Sequence, residues 1–211
     1  MVFRVAQRKY LMSKKNSIVI LFFITTFLYA CTPTTNILKY YLQNQKILDS
    51  IQQSYKEQYR QRPFSIQFTD RSFTTVSIEI FTDTLKYIYE FAESEDRMKD
   101  TLLKYHLSVP GINNLIVQMA SIHCTWINNL DYYVKGKKEY LVFMSIRPKS
   151  VNFPFTNKKY YILTYFLQPQ YYDADGRLLD RRYRKKIRKI NEDVFKRITD
   201  KVAYTISDRF R

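Results

Sequence analysis

Three glycines, Gly111, Gly136 and Gly176, are all that this chain of 211 residues contains, and no two lie near one another. Glycine gives a backbone its left-handed turns and its close approach to a ligand. A phosphate-cradling loop needs several glycines together, so neither a P-loop nor a dinucleotide fingerprint can be built here. The same scarcity removes the Gly-x-Ser-x-Gly elbow, whose strained turn demands small neighbours. Kinase, NTPase, Rossmann dehydrogenase and α/β-hydrolase chemistries are excluded on this ground.

Metal and nucleophile chemistry has few residues to draw on. The histidines are His106 and His123, and the cysteines are Cys31 and Cys124. His123 and Cys124 would stand about 100° apart on a helix, a poor arrangement for one ion. His106, across the Pro110-Gly111 break, could meet Cys124 as a base and form a thiolate–imidazole pair. The preferred alternative is a buried structural cysteine and two unrelated histidines. "YYDADGRLLD" (Tyr171 to Asp180) offers Asp173, Asp175 and Asp180 as hard oxygens, but the spacing of a calcium loop is not met. Asp175-Gly176 between apolar segments reads instead as a tight hairpin turn. Glu79, Glu90 and Glu93 could pair in space, yet spacing alone gives no carboxyl separation. No catalytic residue, metal ligand or cofactor is assigned.

Periodicity predicts an α+β domain. From Asn36 to about Gln61, apolar residues recur at three- and four-residue steps and stop before Pro63, as in an amphipathic helix. Alternation then predicts strands over 64–68 and 76–80; residues 84–91 fit a strand through Tyr87 and Tyr89 or a helix through Leu85, Ile88 and Ala92, and their β-branched and aromatic content favours the strand. A short helix opens at "ESED" and ends near His106, and a longer one is expected from Ile112 to about Val134, closed by Gly136. Strands follow over 139–146 and 159–167, the second apolar on both faces and therefore central. Tyr183, Ile187, Ile190, Val194, Ile198, Val202 and Ile206 then suggest a long C-terminal amphipathic helix. The expected architecture is a mainly antiparallel sheet of about five strands, packed with an N-terminal helix, two central helices and the C-terminal helix.

The N-terminal residues specify an address. "MSKKNS" (Met12 to Ser17) precedes an apolar run from Ile18 to Ala30, shorter than the roughly 20 residues of a bilayer span and suited to a signal peptide. Leu28-Tyr29-Ala30-Cys31 resembles the lipobox of bacterial lipoproteins, with Leu at −3, a small residue at −1 and then the cysteine that receives lipid. Tyr29 departs from the small residue usual at −2. The resemblance implies a signal peptide over residues 1–30, with Met12 as a candidate start, lipidation at Cys31 and membrane attachment through that lipid. Residues 31–36 then form a lipidated tether and residues 37–211 a single domain. Surface-exported lipoproteins often carry an acidic stretch after the cysteine; "TPTTN" has none, which implies an anchor facing the periplasm, and the outer membrane is the expected location. With Cys31 acylated, Cys124 has no partner for an intramolecular disulfide.

Charge supplies the main candidate binding surface, beside an aromatic one offered by tyrosine doublets such as Tyr160-Tyr161 and Tyr171-Tyr172. The chain carries a net +16, and seven basic residues crowd into "RRYRKKIRK": Arg181, Arg182, Arg184, Lys185, Lys186, Arg188 and Lys189. On the expected helix they would occupy the solvent side of its first turns, where the dipole disfavours cations. A solvated basic face is the bland alternative. The candidate partners are an envelope protein complex or anionic headgroups, and a periplasmic address argues against nucleic acid. The function expected is a membrane-anchored, non-enzymatic binding or envelope-assembly subunit. A periplasmic hydrolase or transferase with an unrecognised carboxylate site is the alternative. A basic nucleic-acid-binding protein follows only if the N-terminal signal is misread.

Overall fold

The computed structural model describes residues 33–92, 95–134, 137–147, 159–190 and 192–208. The chain divides into two compact units, Met1–Gln43 and Asn44–Arg211. Helix α1 spans Pro33–Gln61 and opens on a proline, whose missing N–H would have no helical partner there in any case. Within the second unit, α1 buries Leu48, Ile51 and Tyr55, one face at three- and four-residue steps.

Strands β1 (Phe64–Phe68), β2 (Thr75–Phe81) and β3 (Lys86–Ala92) form an antiparallel meander. Helices α2 (Asp96–Lys104) and α3 (Val109–Ser121) carry the chain from β3 back across the sheet. There β4 (Cys124–Val134) pairs with β1 and starts a second meander with β5 (Lys137–Ile146) and β6 (Tyr160–Phe166). The short strands β7 (Lys189–Ile190), β8 (Asp193–Val194) and β9 (Lys196–Arg197) precede β10 (Val202–Ser207). The main sheet has eight strands, ordered β3-β2-β1-β4-β5-β6-β10-β9, while β7 and β8 form a separate ribbon.

Residues opposite one another in a ladder share a face. On the first face, Phe64, Ile66 and Phe68 stand opposite Ile80, Ile78 and Val76, which stand opposite Tyr87, Tyr89 and Phe91. This face meets the helices: the Tyr55 hydroxyl donates to the Phe64 carbonyl at 2.6 Å, and the Tyr89 and Tyr105 hydroxyls lie 2.7 Å apart. The second face is divided. On the β1–β3 half it is polar, with Glu79 accepting from Ser65 Oγ at 3.2 Å and paired with Lys86 at 3.5 Å. On the β4–β10 half it is apolar, presenting Trp126, Leu141, Phe143, Ile162, Phe166 and Ala203.

Three expectations are overturned. Among the described residues the main sheet has eight strands rather than about five, and the expected C-terminal helix is absent. Its stripe was ambiguous for a physical reason. Ile190, Val194, Ile198, Val202 and Ile206 recur every fourth residue, a spacing that fits one face of a strand as well as one face of a helix. β-branched residues favour the strand. Off-stripe Phe195 and Tyr204 are 1% and 3% exposed, whereas Tyr183 and Ile187 on the stripe are 51% and 41% exposed. The helix expected over 112–134 likewise stops at Ser121, and Trp126 and Ile127 lie on β4. The expected stop at Gly136 lies outside the described residues.

Glycine scarcity leaves its mark at the helix ends. Left-handed backbone is taken by Phe73, His106, His123 and Glu192 (φ 60°, 60°, 57° and 69°), none of them glycine. His106 follows α2 in a Schellman turn: its N–H donates to the Leu103 carbonyl at 3.1 Å and that of Leu107 to Leu102 at 2.9 Å. His123 ends α3, its N–H donating to the Ala120 carbonyl at 3.1 Å. Both histidines of the chain therefore sit where helices usually place glycine or asparagine.

Candidate functional site

Between β6 and β10 the chain forms an arm, residues 167–190 and 192–201, that rejoins the sheet only at β9 and folds over the apolar half of the second face. Leu178, Ile190 and Phe195 of the arm are buried against Trp126, Leu141, Phe143, Tyr160, Ile162, Phe166 and Ala203. Burying each large apolar side chain contributes about 1.5–3 kcal/mol, and these three hold the arm down. Within this half, the Ser145 and Thr164 side chains are fully buried, and their hydroxyls have no partner among the described residues.

The arm is built from stacked turns. The first is the hairpin expected at Asp175-Gly176: Gly176 has φ +73°, its N–H donates to the Asp173 carbonyl at 3.0 Å, and Asp173 Oδ1 accepts the Arg177 N–H at 2.7 Å. Asp175 is paired with Arg177 at 2.7 Å. Two of the three carboxylates considered for calcium are thus engaged in this turn, and the third, Asp180, is engaged in the next one. Its Oδ1 accepts the N–H groups of Arg182 (2.8 Å) and Tyr183 (3.4 Å). The Asp180 N–H donates to the Lys186 carbonyl at 2.7 Å, and the Lys186 N–H to that of Tyr183 at 2.8 Å. A bridge between Leu179 and Ile187 closes this second hairpin, residues 179–187.

The basic cluster therefore rides on a hairpin and the short strand after it, not on a helix. The structure divides its seven members into two groups. Arg181 and Arg188 turn inward: Arg181 Nη2 donates to Gln168 Oε1, and Arg188 lies 5.9 Å from the centroid of Phe166. Arg182, Arg184, Lys185, Lys186 and Lys189 are exposed and, among the described residues, none is paired with a carboxylate. Three of them rest on tyrosine rings instead. Arg182 and Lys186 lie 5.7 and 5.0 Å from the Tyr183 centroid, and Arg184 lies 4.2 Å from that of Tyr171. Such contacts orient a cation while leaving its charge uncompensated.

Charge alone pointed to the cations but missed the apolar side chains between them. Tyr183, Ile187, Tyr171 and Leu167 are 51%, 41%, 37% and 48% exposed. The signal was present in "RRYRKKIRK", where Tyr183 and Ile187 interrupt the charges. Two further arm cations are neutralised locally, Arg197 by Asp200 at 2.6 Å and Arg177 by Asp175.

The remaining candidates give no comparable surface. Cys124 is fully buried, its thiol donates to the Trp126 carbonyl at 3.5 Å, and burial pushes it up to about 12. His106 is exposed and Cys124 is not, so the thiolate–imidazole pair is not formed. Among the described residues, no three of His, Cys, Asp and Glu are gathered to hold a metal. No described helix is long and apolar enough to cross a membrane. Cys31 and the signal region lie outside the described residues. Comparisons with protein-family models, curated proteins and solved structures found no match.

Proposed function

We propose that this is a lipid-anchored envelope protein, held to the outer membrane through Cys31 and facing the periplasm, that works by binding rather than by catalysis. The hairpin 179–187 and the adjoining Lys189 form its contact surface. One observation carries this reading: exposed Arg182, Arg184, Lys185, Lys186 and Lys189 have no carboxylate partner among the described residues, and exposed Tyr183 and Ile187 lie between them. Uncompensated cations beside exposed aromatics are costly for a fold to gather and useful for holding an anionic partner. The lipobox-like Leu28-Tyr29-Ala30-Cys31 supports the anchor, and "TPTTN" supports the periplasmic side.

Cross-linking in intact cells tests the reading, with a photo-reactive residue in place of Tyr183. Adducts are expected with the natural hairpin and should disappear when Arg182, Arg184, Lys185 and Lys186 are all changed to glutamine. Capture unchanged by neutralisation removes the hairpin as the contact surface.

A further inference from the structure

We infer that the occupant of this hairpin is the headgroup layer of an anionic phospholipid bilayer, a proposal that rests on reading the hairpin as the contact surface. The pattern of side chains selects this partner over an acidic protein. A stable protein interface is built on a contiguous apolar centre with charges moved to its rim. Here cations separate the apolar side chains from one another. Tyr183 is flanked by Arg182 and Arg184 in sequence and contacted by Arg182 and Lys186 in space, and Ile187 is followed by Arg188 and Lys189. Single apolar side chains set among cations make no such centre.

A bilayer surface accepts that arrangement. Its phosphates meet the cations at headgroup depth, while an amphipathic ring and an aliphatic side chain reach the acyl boundary just beneath. Lysine and arginine stems lie along apolar surface and keep their charges at the polar level. The hairpin is held for this use by the bridge from Leu179 to Ile187, the Asp180 carboxylate on two N–H groups, and Phe195 buried beneath the arm. A second attachment also has a physical rationale, since a lipid chain supplemented by a basic patch anchors far more firmly than the chain alone.

The test uses the full chain purified from membranes, with a fluorescent amino acid in place of Tyr183. It is mixed with brominated vesicles of neutral phosphatidylcholine, or of phosphatidylcholine with phosphatidylglycerol. Bromine is expected to quench the probe in the anionic vesicles only. High salt should relieve the quenching, and so should changing Arg182, Arg184, Lys185 and Lys186 to glutamine. Partitioning of the hairpin should fall roughly fivefold for each cation removed. A probe in place of Leu85, exposed before β3, should stay unquenched.

Position 183 dark to bromine in anionic vesicles, or quenched equally in neutral ones, overturns the proposal. Flotation separates this from the anchor. A chain that floats with neutral vesicles but shows no quenching at 183 keeps its anchor and has some other hairpin partner, such as an acidic protein. A chain that floats and is quenched only with anionic vesicles keeps the hairpin proposal and loses the anchor.

Discussion

The guanidinium carbon of Arg184 lies 4.2 Å from the ring centroid of Tyr171, and its Nη2 donates to the Tyr171 hydroxyl at 3.1 Å. This contact ties the second hairpin of the arm to the chain leaving the sheet. Arg184→Ala should cost only about 1 kcal/mol, as expected for an exposed cation–π contact. Hydrogen exchange is expected to quicken at the amides of residues 180–187 while β5 and β6 keep their protection. Uniform quickening across the sheet would show that Arg184 supports the whole fold.

Phe195 is the main apolar plug of the arm, 1% exposed in the cluster that contains Trp126. Phe195→Ala should destabilise the protein by about 3–5 kcal/mol, the range for truncating a buried aromatic. Trp126 is the only tryptophan in the chain, so its emission reports on this cover. A red shift in native buffer is expected in the variant. Unshifted emission together with an unchanged urea midpoint would contradict the packing described.

Alkaline pH should weaken the fold. Burial pushes Cys124 from 9.0 and Tyr172 from 10.0 up to about 12. The hydrogen bond with Tyr89, then burial, does the same to Tyr105. In each case the unfolded chain loses its proton first. The contribution of these groups is therefore complete below pH 9 and is lost as pH rises towards 12. Urea midpoints should fall through that window, less steeply in Tyr172→Phe. At pH 8, Cys124 should resist a thiol reagent until the chain is unfolded.

The histidine after α2 should answer to backbone geometry rather than to chemistry. At φ 60°, His106 occupies a conformation that costs an ordinary residue about 1–2 kcal/mol and glycine very little. His106→Gly should keep or modestly raise the melting temperature, and His106→Val should lower it, since a branched side chain fits that region least. A glycine variant that loses binding without losing stability would assign His106 another role.

Much of the first half of the domain was legible in the sequence because its periods were unmixed. Phe64, Ile66 and Phe68 alternate cleanly with polar residues, as do Val76, Ile78 and Ile80, and those strands lie where alternation puts them. In the second half the strands over 139–146 and 159–167 were legible too, but the segment after 180 was not, because a four-residue repeat of β-branched side chains satisfies helix and strand alike. His123 also hid the end of a helix, since a left-handed turn made by histidine carries none of the usual glycine signal. For the site, the basic run fixed the segment but not its shape. A helix would have spread those charges along its length, whereas the hairpin sets Arg182 and Lys186 on Tyr183 and Arg184 on Tyr171.

The attachment of the chain through Cys31 is the claim on which the proposed function stands, and metabolic labelling with a tagged fatty acid tests it most directly. The natural chain is expected to carry label and the Cys31→Ala chain to carry none. Label that persists in Cys31→Ala, or that never appears on the natural chain, would contradict the account.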